Sequence, residues 1–207
     1  MRHYTPFDNF IIRFDKLVRP STQVSISNIE IEPSPSLSET ERQKSVALMR
    51  INHSGEVCAQ ALYQAQALIA REPALSETFK EAASEEQQHL DWCAKRIKEL
   101  KGRTSFLNPI WYLGSFTIGL IAGLMGDKIS LGFLAETEHQ VVHHLDSHLE
   151  KISPNDKQSR VILEQMRKDE LAHATKALDK GGIEFPKPIS TVMSFASKIM
   201  TFTTKYI

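Results

Sequence analysis

Residues 85–93 read EEQQHLDWC, and residues 169–174 read DELAHA. Each stretch carries a glutamate followed three residues later by a histidine, Glu86 with His89 and Glu170 with His173. Both pairs lie among apolar residues that recur every three or four positions, the period of a helix with one buried face. At that spacing the two side chains leave the helix on the same side, one turn apart, and can reach a common point. One such pair is weak evidence, because helices contain many by chance. Two copies call for a reading of the helices around them.

Working outward, Ser38 with Glu41 makes a capping box and opens a helix expected to run until Pro73. A second helix is expected over about 74–101, stopping at Gly102. In the uncharged stretch FLNPIWYLGSFTIGLIAGLMG (106–126), Asn108 reads as a cap followed by proline at the first helical position. A fourth helix is expected over about 128–152, and Ser153-Pro154 is read as the cap of a fifth that ends at Gly181-Gly182. Residues 188–207 read as a final amphipathic helix. No alternation of strand type competes after residue 38, so the class is all-α. Before it, Phe7 to Val18 has helical apolar spacing and IEPSPSLS reads as a linker. The division expected is therefore an N-terminal segment, 1–37, and one domain, 38–207.

Two solitary glutamates complete a repeat. Glu56 precedes Glu86 by 30 residues, and Glu138 precedes Glu170 by 32. The turn at Ser153-Pro154 is about 16 residues from both Glu138 and Glu170, which puts them at nearly one depth in an antiparallel hairpin. A turn near Pro73 gives a looser match of 17 against 13 for the first hairpin. At 100° per residue, Glu138 shares its face with Leu131, Leu134, Leu145 and Leu149. Glu86 lies with Phe79, Leu90, Cys93 and Ile97, Glu170 with Leu163 and Met166, and Glu56 with Met49 and Tyr63. Four carboxylates thus point into faces that should be buried, where each unpaired charge costs several kcal/mol or is forced to protonate. Lysine and arginine are mostly off these faces. Two ferrous ions offset four glutamates and leave neutral imidazoles to complete the set. One Glu from each of two helices and Glu-x-x-His from each of two others is the arrangement of ferritin-like di-iron four-helix bundles, which this sequence resembles.

Composition narrows the partners. Lys plus Arg and Asp plus Glu number 25 each, so the charge balance does not point to nucleic acid. Two cysteines, Cys58 and Cys93, do not make a disulfide framework and fit buried, reduced packing positions. Segment 106–126 is about long enough to span a bilayer at ~1.5 Å per residue. A single crossing would leave Glu56, Glu86 and His89 on one side and Glu138, Glu170 and His173 on the other. The segment is therefore expected to be an apolar crossover helix between bundle halves, lying on or dipping into a membrane face, or else a buried core helix. Gly119-x-x-x-Gly123 permits close helix packing. A di-iron site beside lipid suggests a lipid-soluble substrate.

The stretches RINHSGEVCAQALYQAQ (50–66), EEQQHLDWC, LAETEHQVVHHL (134–145) and MRKDELAHATKAL (166–178) closely resemble the demethoxyubiquinone hydroxylases of ubiquinone biosynthesis. The resemblance covers about residues 38–207. It implies an O₂-dependent monooxygenase with two iron ions, held by Glu56, Glu86, His89, Glu138, Glu170 and His173. It also implies hydroxylation of the vacant ring carbon of a polyprenyl 6-methoxy-3-methyl-1,4-benzoquinol. No Gly-x-Gly-x-x-Gly loop or cysteine cluster offers a built-in reductase, so an external electron donor, or the quinone itself, is expected. A peripheral position on the cytoplasmic face of a bacterial inner membrane is expected, because no Arg- and Ser-rich presequence precedes the domain. The alternative is the matrix side of the mitochondrial inner membrane.

Some residues stay open. His144 matches a family histidine near the iron pair, and it reads as a hydrogen-bonding or proton-relay residue there or as ordinary packing. His139 and His143 form an i, i+4 pair that could bind zinc, but they are turned about 100–140° from Glu138, which favours solvated roles or roles as hydrogen-bond partners of the metal ligands. Tyr63 either faces the iron or is a core tyrosine with a satisfied hydroxyl. Rival readings are a ferroxidase or storage protein on the same ligands, and a membrane-associated scaffold for other ubiquinone-biosynthesis proteins. A rubrerythrin-like reading needs a four-cysteine site that two cysteines cannot make.

Overall fold

The computed structural model describes residues 36–206. The amphipathic stretch Phe7 to Val18, and all of segment 1–37 except its last two residues, lie outside the described residues. Among the described residues the fold is wholly helical: α1 Glu39–Ile69, α2 Pro73–Glu99, α3 Asn108–Leu124, α4 Asp127–Lys151, α5 Lys157–Asp179 and α6 Lys187–Thr204. Helices α1 and α2 form one hairpin and α4 and α5 the other, while α1 also packs on α4 and α2 on α5. The crossover helix α3 lies along α1, and α6 packs against α1 and α4.

Local chemistry explains the boundaries, with three departures from expectation. The Ser38–Glu41 capping box is present in both directions. The first hairpin turns over residues 70–72 rather than at Pro73, which instead opens α2. Arg71, the middle of that turn, stands 15 residues after Glu56 and 15 before Glu86, so the looser match becomes an even one. Asn108 does not cap α3. Its amide is drawn inward, accepting from Ser54 Oγ at 2.6 Å and meeting His53 Nδ1 at 3.3 Å, and the cap position falls to Leu107. Helix α5 is capped by Asp156, not by Ser153-Pro154. Asp156 accepts from Ser159 N at 3.1 Å and from Arg96 at 2.7 Å, a buried ion pair that ties the end of α2 to the start of α5.

The core comes in two apolar tiers with a gap between them. One tier holds Tyr63, Phe79, Leu131, Leu134 and Ala177. The other holds Met49, Trp92, Ile97, Leu145, Leu163 and Met166. On every helix of the two hairpins the intervening turn carries a candidate metal-binding residue.

Helix α3 approaches α1 through its small residues. A Cβ on Gly119 would collide with the Leu62 carbonyl and stand 2.9 Å from Ala65 Cβ, and one on Gly123 would stand 2.9 Å from Ile69 Cβ. The other side of α3 is bare, with Phe106, Ile110, Leu113, Ile121 and Leu124 all exposed. Helix α6 likewise exposes Val192, Phe195, Ile199 and Phe202. No helix among the described residues is long and apolar enough to cross a membrane.

Gly119→Ala should destabilise the protein by roughly 1–3 kcal/mol, because the α1–α3 approach must widen. Gly114→Ala on the same helix meets open space and should stabilise by up to ~1 kcal/mol through helix propensity. Urea denaturation of both variants checks this; equal effects would contradict the packing role given to Gly119.

Candidate metal centre

All six residues expected to act together meet in the gap between the apolar tiers. They form two overlapping sets, Glu56, Glu86, His89 and Glu170 in one and Glu86, Glu138, Glu170 and His173 in the other. Within each set one ligand atom per residue lies within 4.8 Å of all the rest. Glu86 and Glu170 belong to both sets, whereas each solitary glutamate and each histidine belongs to one. All six side chains are buried.

The helical phase places the six, and their immediate neighbours orient them. His89 Nε2 meets Asp169 Oδ2 at 3.2 Å, and His173 Nε2 meets Glu85 Oε2. Each of these acids directly precedes the shared glutamate of the opposite helix, so α2 and α5 orient each other's histidines. A carboxylate only accepts, so each Nε2 carries the proton in these contacts. With a metal in place, the neutral imidazole would then turn its Nδ1 lone pair toward the cluster, as an outer carboxylate arranges for a metal-bound histidine. Tyr63 supplies another contact by donating its hydroxyl to Glu138 Oε1. Of the two open readings of Tyr63, the structure bears out the core tyrosine with a satisfied hydroxyl, its partner being a carboxylate of the cluster. Sequence reasoning missed Glu85 and Asp169 although a signal was present, an acid immediately before each Glu-x-x-His.

The donor atoms fit metal ions. Both oxygens of Glu86, Oε2 of Glu138, Oε1 of Glu170 and Nδ1 of His89 are buried without hydrogen-bond partners. His89 Nδ1 is only 2.9 Å from Glu170 Oε1, yet the two are not aligned to bond each other. Orphaned donors crowded around shared points are costly alone and satisfied by cations at those points. Oxygen and imidazole donors, with two carboxylates common to both sets, suit a pair of ions such as iron or manganese.

Without a metal the cluster must hold protons. Burial, reinforced by the Glu170 charge, pushes Glu138 up to about 8 and Glu86 well above the carboxylate range. Burial pulls on His173 in the opposite sense, but the Glu138 and Glu170 carboxylates push it up to about 12. His89 is likewise raised against the effect of burial, by Asp169 and Glu170. Glu170 is raised by burial but lowered more strongly by His173 and His89, and is held at about 2.

The remaining histidines among the described residues lie outside the cluster. His139 and His143 are exposed, in keeping with solvated roles. His148 Nδ1 meets Asn52 Oδ1 at 2.8 Å, and burial lowers both His148 and His53 to about 4. His144 Nε2 meets Ser197 Oγ at 3.1 Å. His144 lines an apolar cavity of about 440 Å³ enclosed by α1, α3, α4 and α6. The cavity is walled in part by Gly55 and Thr137, immediate sequence neighbours of Glu56 and Glu138, and by Cys58, two residues beyond Glu56. Neither cysteine joins the cluster: Cys58 faces this cavity and Cys93 packs 3.8 Å from Met166 Sδ.

Fold and donor set together define a class, the ferritin-like bundles, with a central cluster compatible with two metal ions. A solved structure agrees on the fold. The bacterioferritin-related dodecameric thioferritin of Bacteroides fragilis superposes with a TM-score of 0.54 at 18% identity, over 67% of this chain and 84% of that one. The chain belongs to the family described as ubiquinone biosynthesis protein COQ7, whose family model matches residues 43–204. Among its relatives is the 3-demethoxyubiquinol 3-hydroxylase of Paraburkholderia xenovorans, 51% identical over 97% of this chain and 99% of the relative. The protein of the same name from Nitrosococcus oceani is 51% identical over 100% and 99%.

The metal-free centre has a pH signature. Glu138, raised from 4.5 to about 8, lends stability that is complete below pH 4.5 and lost as the pH rises through 8. His173 has the same sign, with its contribution complete below 6.5 and lost as the pH climbs through 12. Glu170, held at about 2, loses its contribution only in acid, below 4.5. The Tm of the metal-free protein should therefore fall from about pH 5 to about pH 9, and loading with a divalent metal should release protons and reverse the slope. A metal-free Tm that rises across that window would contradict this electrostatic reading.

Proposed function

We propose that the protein is an O₂-dependent 3-demethoxyubiquinol 3-hydroxylase that adds one oxygen atom to the vacant ring carbon of a polyprenyl 6-methoxy-3-methyl-1,4-benzoquinol. The observation that carries this reading is the placing of an apolar cavity beside the buried carboxylate cluster, within a family of ubiquinone-biosynthesis proteins. In this reading Glu56, Glu86, His89, Glu138, Glu170 and His173 hold two iron ions. Bound there, the iron pair supplies the O₂ chemistry that the side chains lack. Each turnover needs two electrons and two protons from outside the reacting ring, the electrons from an external donor or the quinone pool.

The chain's own residues bind, orient and exclude water. Leu62, Trp111, Ile118, Phe133 and Met193 give the cavity an apolar wall suited to a quinol ring and the start of its prenyl tail. Gln140, His144 and Ser197 are polar groups in that wall, placed to hold the ring's oxygen substituents. Burial, then the charge of His143, lowers His144, so the imidazole is neutral at pH 7 and able to accept or return a proton from the ring hydroxyl. This is the role assigned to His144. The tiers above and below the cluster keep bulk water away from the reacting oxygen.

The exposed apolar faces of α3 and α6 border this cavity and rest on a membrane surface, from which the substrate enters with its tail still in lipid. Domain 38–207 is the catalytic unit, peripheral on the cytoplasmic side of a bacterial inner membrane, where other ubiquinone-biosynthesis proteins have access to it.

Single turnover tests the reading. The protein, loaded anaerobically with ferrous iron and given a short-tailed demethoxyubiquinol, should place one atom of labelled oxygen on the ring, read by mass spectrometry. Oxidised iron with unmodified quinol, in protein shown to be folded and loaded, would favour the ferroxidase reading instead.

A further inference from the structure

At one end of the exposed apolar faces the molecule carries a second cavity, about 420 Å³ and chemically unlike the first. Its lining carries five basic side chains, Arg42, Arg50, Lys101, Arg103 and Lys205, and no carboxylate. The five come from three separate parts of the chain: the first turns of α1, the α2–α3 loop and the end of α6. Glu39 pairs with Arg42 and lies within reach of the Lys101 charge. Arg50, Arg103 and Lys205 have no acidic partner among the described residues.

The cluster is built rather than incidental. Arg50 donates to the Arg103 carbonyl at 2.8 Å and to the Lys205 carbonyl at 3.2 Å, which draws the loop and the end of α6 to the same point. This gathers like charges: Arg50 is lowered from its usual value by burial and then by Arg103. Lys101 sits at φ 56°, the left-handed position after α2 where glycine or asparagine is ordinarily unstrained. A lysine at that position adds a cation to the pocket at a backbone cost.

The rim says what would offset the charge. The Arg103 guanidinium lies over the Phe106 ring at 4.9 Å, and the Lys205 ammonium over Tyr206 at 5.2 Å. Both rings are largely exposed, at 68% and 64%. Phe106 begins the bare face of α3, while Tyr206 packs on Phe202 at the end of the bare face of α6. Exposed aromatics carrying cations at the edge of an apolar face are the composition of a bilayer's headgroup layer.

We propose that this pocket binds the phosphate of an anionic phospholipid and so fixes how the α3–α6 face sits in the headgroup layer. The inference rests on the membrane-facing reading of that face, and its test separates the two.

The full, metal-loaded chain is co-sedimented with vesicles of phosphatidylcholine alone and with vesicles containing about 30% phosphatidylglycerol, each basic residue near an anionic surface being worth several-fold in binding. Wild-type protein should bind both and prefer the anionic vesicles. Arg103→Gln with Lys205→Gln should lower anionic-vesicle binding about tenfold or more and leave phosphatidylcholine binding unchanged; the backbone carbonyls that hold Arg50 are retained. Lys80→Gln with Lys95→Gln removes the same net charge from α2, which packs chiefly on α1 and α5, and should preserve the preference. Turnover of a short-tailed quinol, unchanged in both double variants, shows that they are folded. Equal wild-type binding to the two vesicles, or a preference that survives Arg103→Gln with Lys205→Gln or is lost equally in the α2 control, would overturn the proposal. Wild-type binding to neither vesicle would overturn the membrane-facing reading and this proposal with it.

Discussion

Four carboxylates at mid-height of a helical bundle, sealed between two apolar tiers, set the terms for the rest of the structure. Buried carboxylates are tolerated only when opposite charge or protons accompany them. Among the described residues the basic groups of the cluster are two imidazoles, and five of its donor atoms are left without hydrogen-bond partners. The hairpins place their glutamates at matching depth, so the charges meet instead of scattering along the core. Glu86 and Glu170, each in reach of both sets, make the centre one unit. The apolar tiers keep that unit dry, and the crossover helix leaves its flank open to a cavity suited to an apolar ring.

Much of this could be read from the chain because it follows from the helical period. Glu56, Glu86, His89, Glu138, Glu170 and His173 were placed by phase and spacing, and all six meet. The all-α class, the crossover helix and the close packing of Gly119 and Gly123 were likewise local in origin. What was missed acts across helices. Glu85 and Asp169 look like surface acids on their own helices, and only the α2–α5 interface turns each toward the other's histidine. Asn108 and Ser153-Pro154 both have the chemistry of caps. Asn108 was taken by Ser54 and His53, however, and Ser153 instead donates to Glu41 at 2.6 Å, leaving Asp156 to cap α5. The basic pocket could not be read at all, since its cations come from distant parts of the chain, Arg50 and Lys205 standing 155 residues apart.

The site and the surface fit one physical account. Under the proposed function, a substrate with a long apolar tail cannot leave lipid cheaply, and a buried metal centre would have to be brought to the membrane. Helix α3 serves both needs: Gly119, Gly123 and the buried Tyr112 lie against α1, closing the bundle, while Ile110, Leu113, Ile121 and Leu124 point outward. Helix α6 lines the cavity with Met193, Ser197 and Met200 while exposing Phe195, Ile199 and Phe202 on its outer side. Amphipathicity thus appears twice, once toward the cavity and once toward an exposed apolar face, the face assigned to the membrane in the proposed function.

The central claim is that the buried carboxylates exist to hold a metal pair. Anomalous diffraction from crystals of the iron-loaded protein, collected on both sides of the iron edge, tests it most directly. The account predicts two peaks per chain, one within reach of Glu56 and His89 and the other of Glu138 and His173, with Glu86 and Glu170 between them. A single peak, peaks only at exposed histidines such as His139 and His143, or an empty cluster in folded, iron-saturated protein would contradict it.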